Sequence, residues 1–515
     1  MPPTKRQLDP GIVTVFFPDD GQPHRGINKF GNLSRWVIND LEYDDLQNFI
    51  PMEGELQQVP GNSATIATLV SSAIWMSAQP LNLATYLYCL CANGHIYQIS
   101  LGGTITDVSG ATSMSSQSDI CSWQGTQVLF SDVQVSKIYS WNGTTFATVF
   151  SGQPANFITV YNARLWMANN QTISFTAGGT YNSLGGDAGS FVITDSDCPA
   201  PVRALVPYGG NLFVFGYSWV KVYGGLFDQG SPAVLQFQQS TLTDEAGVIN
   251  KWGIVPLGYS VYYAHLNGVW NLLGSQPSLV SEPVGGFFQY LTLAGTSFSA
   301  AFGWILGMPV LMWQVQYATD SSYRILCMTY DTNPQRQLWF TLSLGPITFI
   351  TYGIDQTNGQ QKVWGIDTSN NIVQIASNTI ANVTSKVSTK LWSFGTRIRK
   401  KTIIRAGIEA IVTSSTTVAL NARDENLNTY SPDLQSANPQ FIFVWNNGSS
   451  INFTWTNGAS GTFTWNSRGT QYQLLEFDLP IAVRKLGLDV TFSGSGGVIG
   501  AFGIEFQELP ADWGA

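Results

Sequence analysis

Charge is scarce in this chain: Asp, Glu, Lys and Arg make up 11% of the 515 residues, against about 25% in an ordinary soluble domain. The deficit is larger for bases, with 24 Lys and Arg against 33 Asp and Glu and a net charge of −9. That balance excludes the usual basic class of nucleic-acid binder. Histidine is nearly absent. His24, His95 and His265 lie in distant segments, and no His or Cys pair has metal-ligand spacing. The five cysteines are odd in number and follow no disulfide framework. Cys89 and Cys91, two apart on one strand, share a face and are read as small core residues. The opening MPPTKRQLDP has no apolar core of a secretory leader. Two uncharged stretches, Leu56 to Thr106 and the run from Leu291, are interrupted by Gly, Pro, Ser, Gln and Asn. Neither approaches the roughly 20 continuous apolar residues of a membrane-spanning helix.

Signatures of catalysis are equally thin. No G-x-S-x-G elbow, phosphate-cradling loop or Ca²⁺ loop occurs. The paired carboxylates Asp19–Asp20, Asp44–Asp45 and Asp244–Glu245 are adjacent. Adjacent side chains on a strand point to opposite faces, so they are poor acid/base partners. The S-x-D-x-G-x-T-W boxes of propeller sialidases are missing. The expectation is a protein without catalytic residues, cofactor or metal; a hydrolase would have to rest on Asp244 or Glu245.

What the chain does have is a short aromatic strand–turn–strand unit that recurs seven times. The copies are anchored on Leu87, Val128, Leu165, Leu212, Val261, Val310 and Val363, at steps of 41, 37, 47, 49, 49 and 53 residues. Each pairs two apolar runs across a Gly/Asn/Ser turn. A period in this range, without helical patterning, predicts an all-β fold with a β-propeller over residues 61–385. Abundant Gly (51) and aromatics (13%) suit tight turns and strands buried on both faces. A surface this poor in charge points to an assembly subunit. Residues 1–60 show no dominant period and read as an irregular arm or subdomain.

From residue 386 to 515 the strands shorten and alternate at about 8–14-residue spacing, which predicts a β-sandwich. Trp445, Trp455 and Trp465 stand ten apart in WNNG, WTNG and WNSRG. They fit an aromatic ladder on adjacent strands or a stacking surface for carbohydrate. Seven of the 24 basic residues fall between Lys386 and Arg405, with no Asp or Glu between Asp367 and Glu409. If RIRKK is a strand, its period of two puts Arg397, Arg399, Lys401 and Arg405 on one face, with Ile398 and Ile404 toward the core. That face is a solvated, guarded edge, an anionic-partner surface, or a contact with DNA backbone; the sequence leaves all three open.

Three segments resemble the hub, or nozzle, proteins of short-tailed bacteriophages. NFIPMEGELQQVPG (48–61) is similar to their opening strand, glycine turn and closing Pro-Gly. YNARLWMANNQTISFTAGGTYNSLGG from Tyr161 looks like one of their blades. The segments PVRALVPYGGNLFVFGYSWVKVYGG and DEAGVINKWGIVPLGYSVYYAHLNGVWNLLGSQPSLVSEPV look like their consecutive blades. Together they cover about a quarter of the chain. The resemblance implies a β-propeller virion protein of the phage tail, assembled in the bacterial cytoplasm. It implies a six-fold ring below the portal and tail adaptor, forming the lower DNA-ejection channel and docking fibres, spikes or a needle. Contact with the passing double-stranded DNA would be transient, and six copies would carry 6 × −9 = −54 charges. The alternative is a carbohydrate- or receptor-binding module of a tail fibre or spike.

Overall fold

The computed structural model describes residues 6–9, 12–17, 24–26, 28, 42–52, 54–229, 234–273, 276–288, 298–317, 321–333, 336–377, 382–394, 400–412, 417–430 and 473–508. The chain divides into two compact units. One comprises Ile27–Ser34 and Gly61–Thr379; the other comprises Met1–Gly26, Arg35–Pro60 and Ile380–Ala515.

The first unit is a seven-bladed β-propeller. Blade 1 runs through Ala73–Leu81, Ala84–Cys91, Ile96–Ser100 and Ile105–Asp107. Blade 2 uses Ser118–Trp123, Gln127–Asp132, Lys137–Trp141 and Phe146–Ser151. Blade 3 uses Phe157–Tyr161, Arg164–Asn169, Thr172–Phe175 and Gly189–Val192. Blade 4 uses Ala204–Tyr208, Asn211–Phe215, Val220–Gln229 and Val234–Thr243. Blade 5 uses Ile254–Leu257, Ser260–His265, Gly268–Leu273 and Gln276–Leu279. Blade 6 uses Ser299–Ile305, Met308–Gln316, Tyr323–Thr329 and Trp339–Leu342. All neighbouring strands within a blade are antiparallel.

Blade 7 is built from both ends of the array. Ile347–Asp355, Gln360–Asp367 and Asn371–Gln374 supply three strands, and Ala67–Thr68, from before blade 1, supplies the fourth. Ile66 donates its N–H to the Ile372 carbonyl at 2.8 Å and Leu69 to that of Asn370 at 3.0 Å. The ring is thereby closed by hydrogen bonds between segments from its opposite ends.

The seven sequence anchors all sit on the second strand of a blade, and none is more than 4% exposed. Their spacing reflects a physical requirement, since the second strand is covered by blades on both faces. First strands turn into second strands through two-residue loops with both φ positive, as at Asn82–Leu83, Asn162–Ala163 and Gly209–Gly210. This is the hairpin turn whose twist matches that of the flanking strands. Ties cross between blades near these turns: the Tyr161 hydroxyl donates to the Gly210 carbonyl at 2.7 Å, and that of Tyr208 to the Gly258 carbonyl. In blade 3, the buried Arg164 pairs with Asp187, just beyond the TYNSLGG loop, and donates to the Thr176 carbonyl at 3.0 Å.

The second unit is a β-sandwich. One sheet orders Arg6–Asp9, Ile12–Phe17, Val498–Glu508, Lys401–Ile411 and Gln473–Val483, with the hairpin Phe49–Met52/Glu55–Gln58 joined through Val498–Glu508. The other orders Tyr43–Gln47, Val383–Thr389, Leu486–Gly494, Thr417–Asp424 and Thr429–Tyr430. Aromatic contacts fill the space between them: Phe49 meets Phe492 edge-on at 5.5 Å, and Phe17 stacks on Trp392 at 4.5 Å.

Residues 1–60, expected as an irregular arm or subdomain, contribute strands at Arg6–Asp9, Ile12–Phe17, Tyr43–Gln47, Phe49–Met52 and Glu55–Gln58. Their pairing partners, such as Val498–Glu508, come from the far end of the sequence. No local pattern encodes such partners. The charge in this segment is also put to structural use: buried Asp44 lies 3.6 Å from Arg423, which sits 2.7 Å from Asp489.

Candidate functional site

First strands of neighbouring blades lie side by side around the propeller axis, and a polar arrangement that links several blades is found there. Lys251–Gly253 makes a single 3-10 turn on the approach to blade 5. Asn250 caps it, its side-chain oxygen accepting the Gly253 N–H at 3.1 Å. Both side chains of the turn leave blade 5. Trp252 stacks on Trp75 of blade 1, with centroids 5.5 Å apart, and meets Phe349 of blade 7 edge-on at 5.8 Å. Lys251 reaches blade 2, where Nζ pairs with the Asp119 carboxylate and donates to the Ile120 carbonyl at 3.0 Å. Blades 1 and 2 stand opposite blade 5 in a seven-membered ring, so the turn crosses the axis.

Asp119 has a second role. Its other oxygen accepts the Ile158 N–H of blade 3 at 2.8 Å, tying two blades beside the ion pair. The Lys251 ammonium also lies 5.2 Å from the centre of the Trp252 ring, a cation–π distance. The result is a wedge, half apolar and half ionic, that links blades 1, 2, 5 and 7 across the axis. Chemically it offers electrostatic closure and no activated nucleophile. Cys121, on the same strand as Asp119, has its thiol pushed up to about 12 by burial and stays protonated at neutral pH. Trp252 and Lys251 escaped the sequence reading; their one signal was a base next to an aromatic, NKWG, in a segment short of charge.

The residues singled out by sequence do not converge. His24 is buried in the sandwich, hydrogen-bonded to Tyr43 and, through Nε2, to the Gly500 carbonyl at 2.8 Å. Burial lowers its pKa from 6.5 to about 4. His95 sits 2.9 Å from Asp107 at the outer side of blade 1, and His265 is 2.8 Å from Asn267 in blade 5. Asp244 and Glu245 are exposed after the last strand of blade 4. All five thiols are buried. Among the described residues no group of three His, Cys, Asp or Glu side chains is placed to hold a metal ion, and no helix is long and apolar enough to cross a membrane.

The expected basic face is altered where it can be seen. Lys401 and Arg405 belong to the strand Lys401–Ile411, but its register shifts between Ile403 and Arg405 against both neighbours. The shift breaks the period of two. Lys401 and Ile403 turn inward and are fully buried, Ile404 is only half-buried, and Arg405 is exposed beside Asp478 at 3.2 Å. A bulge of this kind re-aims every side chain beyond it, and no sequence period reveals it. Arg397, Arg399 and Ile398 lie outside the described residues, as do Trp445, Trp455 and Trp465.

By sequence, no family model and no curated protein matches the chain. Solved structures with a similar fold include BBS1N in complex with ARL6DN, at 13% identity and TM-score 0.41, covering 62% of this chain and 98% of that one. A streptogramin B lyase matches at 11% identity and TM-score 0.41, covering 60% of this chain and 96% of its own. YCF48 bound to D1 peptide matches at 10% identity and TM-score 0.38, covering 62% of this chain and all of that one. Similarity at this level carries no argument about activity or partners.

Proposed function

We propose that this chain is a structural virion protein, the nozzle or hub of a short phage tail, and that it performs no catalysis. The observation that carries the reading is where the phage-like segments fall. The segment 48–61 forms the hairpin Phe49–Met52/Glu55–Gln58, and the segments between Tyr161 and Val284 fall within blades 3, 4 and 5.

On this reading the channel wall is made by several copies around a common lumen, because each propeller axis is occupied by its own Trp252 and Lys251. Six copies of a sparsely charged acidic chain would let a polyanion slide, since each Lys or Arg contact to phosphate acts as a brake. The portal and adaptor lie above, fibres or spikes dock outside, and assembly takes place in the host cytoplasm. The test is to fractionate a lysate of the source on a density gradient and follow the chain by mass spectrometry. Stoichiometric presence in particles of viral size, with ring density of six-fold symmetry on imaging, is the expected result. Sedimentation with the soluble proteins would overturn the proposal.

A further inference from the structure

An open cleft of about 460 Å³ lies on the flank of blade 1, walled on its other side by the last hairpin turn of blade 2. Its floor is set by strand register. Tyr86 on the second strand stands opposite Ser100 on the third, and Gln98, next on that face of the third strand, stands opposite Thr106 on the fourth. Period-two alternation therefore brings Tyr86, Gln98, Ser100 and Thr106 onto one side of the sheet. Asn82, from the first turn of the blade, and Asn142, from blade 2, complete the rim.

Nothing that lines this cleft is charged. The polar groups are amides and hydroxyls, and their protein-bound halves are already spoken for. Gln98 is 8% exposed, and its Oε1 accepts the indole N–H of Trp141 at 3.1 Å. That bond occupies the amide oxygen and leaves the NH₂ of this cleft-lining residue with no partner among the described residues. Asn142 Oδ1 accepts the N–H groups of Thr144 and Thr145 at 2.9 and 2.8 Å, which leaves its NH₂ group outward. Asn82 donates from its NH₂ to the Asn142 carbonyl at 3.2 Å, which leaves its oxygen as an acceptor. The Tyr86 and Thr106 hydroxyls have no partner among the described residues. Donors and acceptors that the protein itself leaves unpaired are available to a ligand that enters the cleft.

We propose that this cleft is a binding site for a neutral saccharide. Vicinal hydroxyls of a sugar each donate and accept, matching a set of fixed amides and hydroxyls without a formal charge. The half-buried Tyr86 ring supplies the apolar surface on which a pyranose face stacks. Anionic ligands find no cation here, and a hydrophobic ligand would leave the Gln98 amide unpaired. The site shares no residue with the wedge on the axis. It does not depend on the tail reading.

The test is saturation-transfer NMR on the full-length protein with maltohexaose, mannotriose and chitotriose as neutral probes and polysialic acid as the acidic control. The expected result is transfer to at least one neutral probe and none to the control. Thr106→Lys, at an exposed position, fills the cleft with a long cation and should weaken that binding by at least about tenfold. Gln98→Leu should do the same, but it also strands the Trp141 N–H; Thr106→Lys is thus the decisive variant, with an unchanged melting temperature as its folding control. Absence of transfer from all three neutral probes at millimolar concentration overturns the proposal. So does binding that Thr106→Lys leaves intact.

Discussion

His24 illustrates how one residue in this chain converts burial into a pH response. It is enclosed between Tyr43 and the Gly500 carbonyl, and its pKa falls to about 4 from the 6.5 of an unfolded chain. Between those values the unfolded state binds the proton and the folded state does not. Stability contributed by the neutral ring is thus complete above pH 6.5 and is lost as pH falls toward 4. The full loss is about 3 kcal/mol, and urea unfolding at pH 7 and pH 4.5 should show most of it. His24→Gln should flatten that dependence, and an unchanged slope in the variant would remove His24 as its source. A second residue tells against the local backbone rule. Leu83 occupies the second position of a turn at φ 64° and is 93% exposed, where a branched side chain is strained and packs on nothing. Leu83→Gly gives the preferred Asn-Gly turn and should raise stability by about 0.5–1 kcal/mol, readable as a higher melting temperature.

At the scale of elements, blades were legible and closures were not. The seven anchors are large apolar residues that recur because second strands are buried on both faces, and burial leaves a periodic trace. The strand that closes the ring is only Ala67–Thr68, and its partner Asn371–Gln374 lies at the other end of the array; pairing at that range leaves no pattern in sequence. The same holds for the first strands of the sandwich, and for the bulge that buries Lys401 while exposing Arg405. Leu69→Pro tests the closure. It deletes the N–H that bonds the Asn370 carbonyl and should cost about 1–3 kcal/mol, seen as early loss of protection from hydrogen exchange at Ile372 and Leu69's neighbours. Protection equal to that of the parent protein would mean the ring holds without this strand. The wedge gives a sharper contrast. Lys251→Met leaves the buried Asp119 carboxylate without its counter-charge and should destabilise by about 3 kcal/mol. Adding Asp119→Asn to it removes the charge but retains an acceptor for the Ile158 N–H, so the double variant should be the more stable of the two. The reverse order, measured by denaturant titration, would show that the ion pair is not what holds the wedge.

For the whole molecule the decisive quantity is charge. On the proposed conduit reading, a wall that guides DNA must keep basic side chains away from the lumen, and several of the described bases are engaged. Arg164, Lys221, Lys251 and Lys362 each pair with a carboxylate of their own unit; Lys401 is buried, and Arg405 faces Asp478. Those pairs cancel part of the positive charge, and the chain as a whole is acidic, with a net charge of −9. The expected consequence is weak, salt-insensitive interaction with duplex DNA. Fluorescence anisotropy of a labelled duplex should stay flat up to tens of micromolar protein even at about 0.05 M salt, where a protein making several phosphate contacts would bind. A rise in anisotropy that disappears as salt increases would place uncancelled basic residues on the surface. It would favour a DNA contact over a guarded edge or an anionic-partner surface for the basic segment around Arg397 and Arg399, and would count against the proposed conduit.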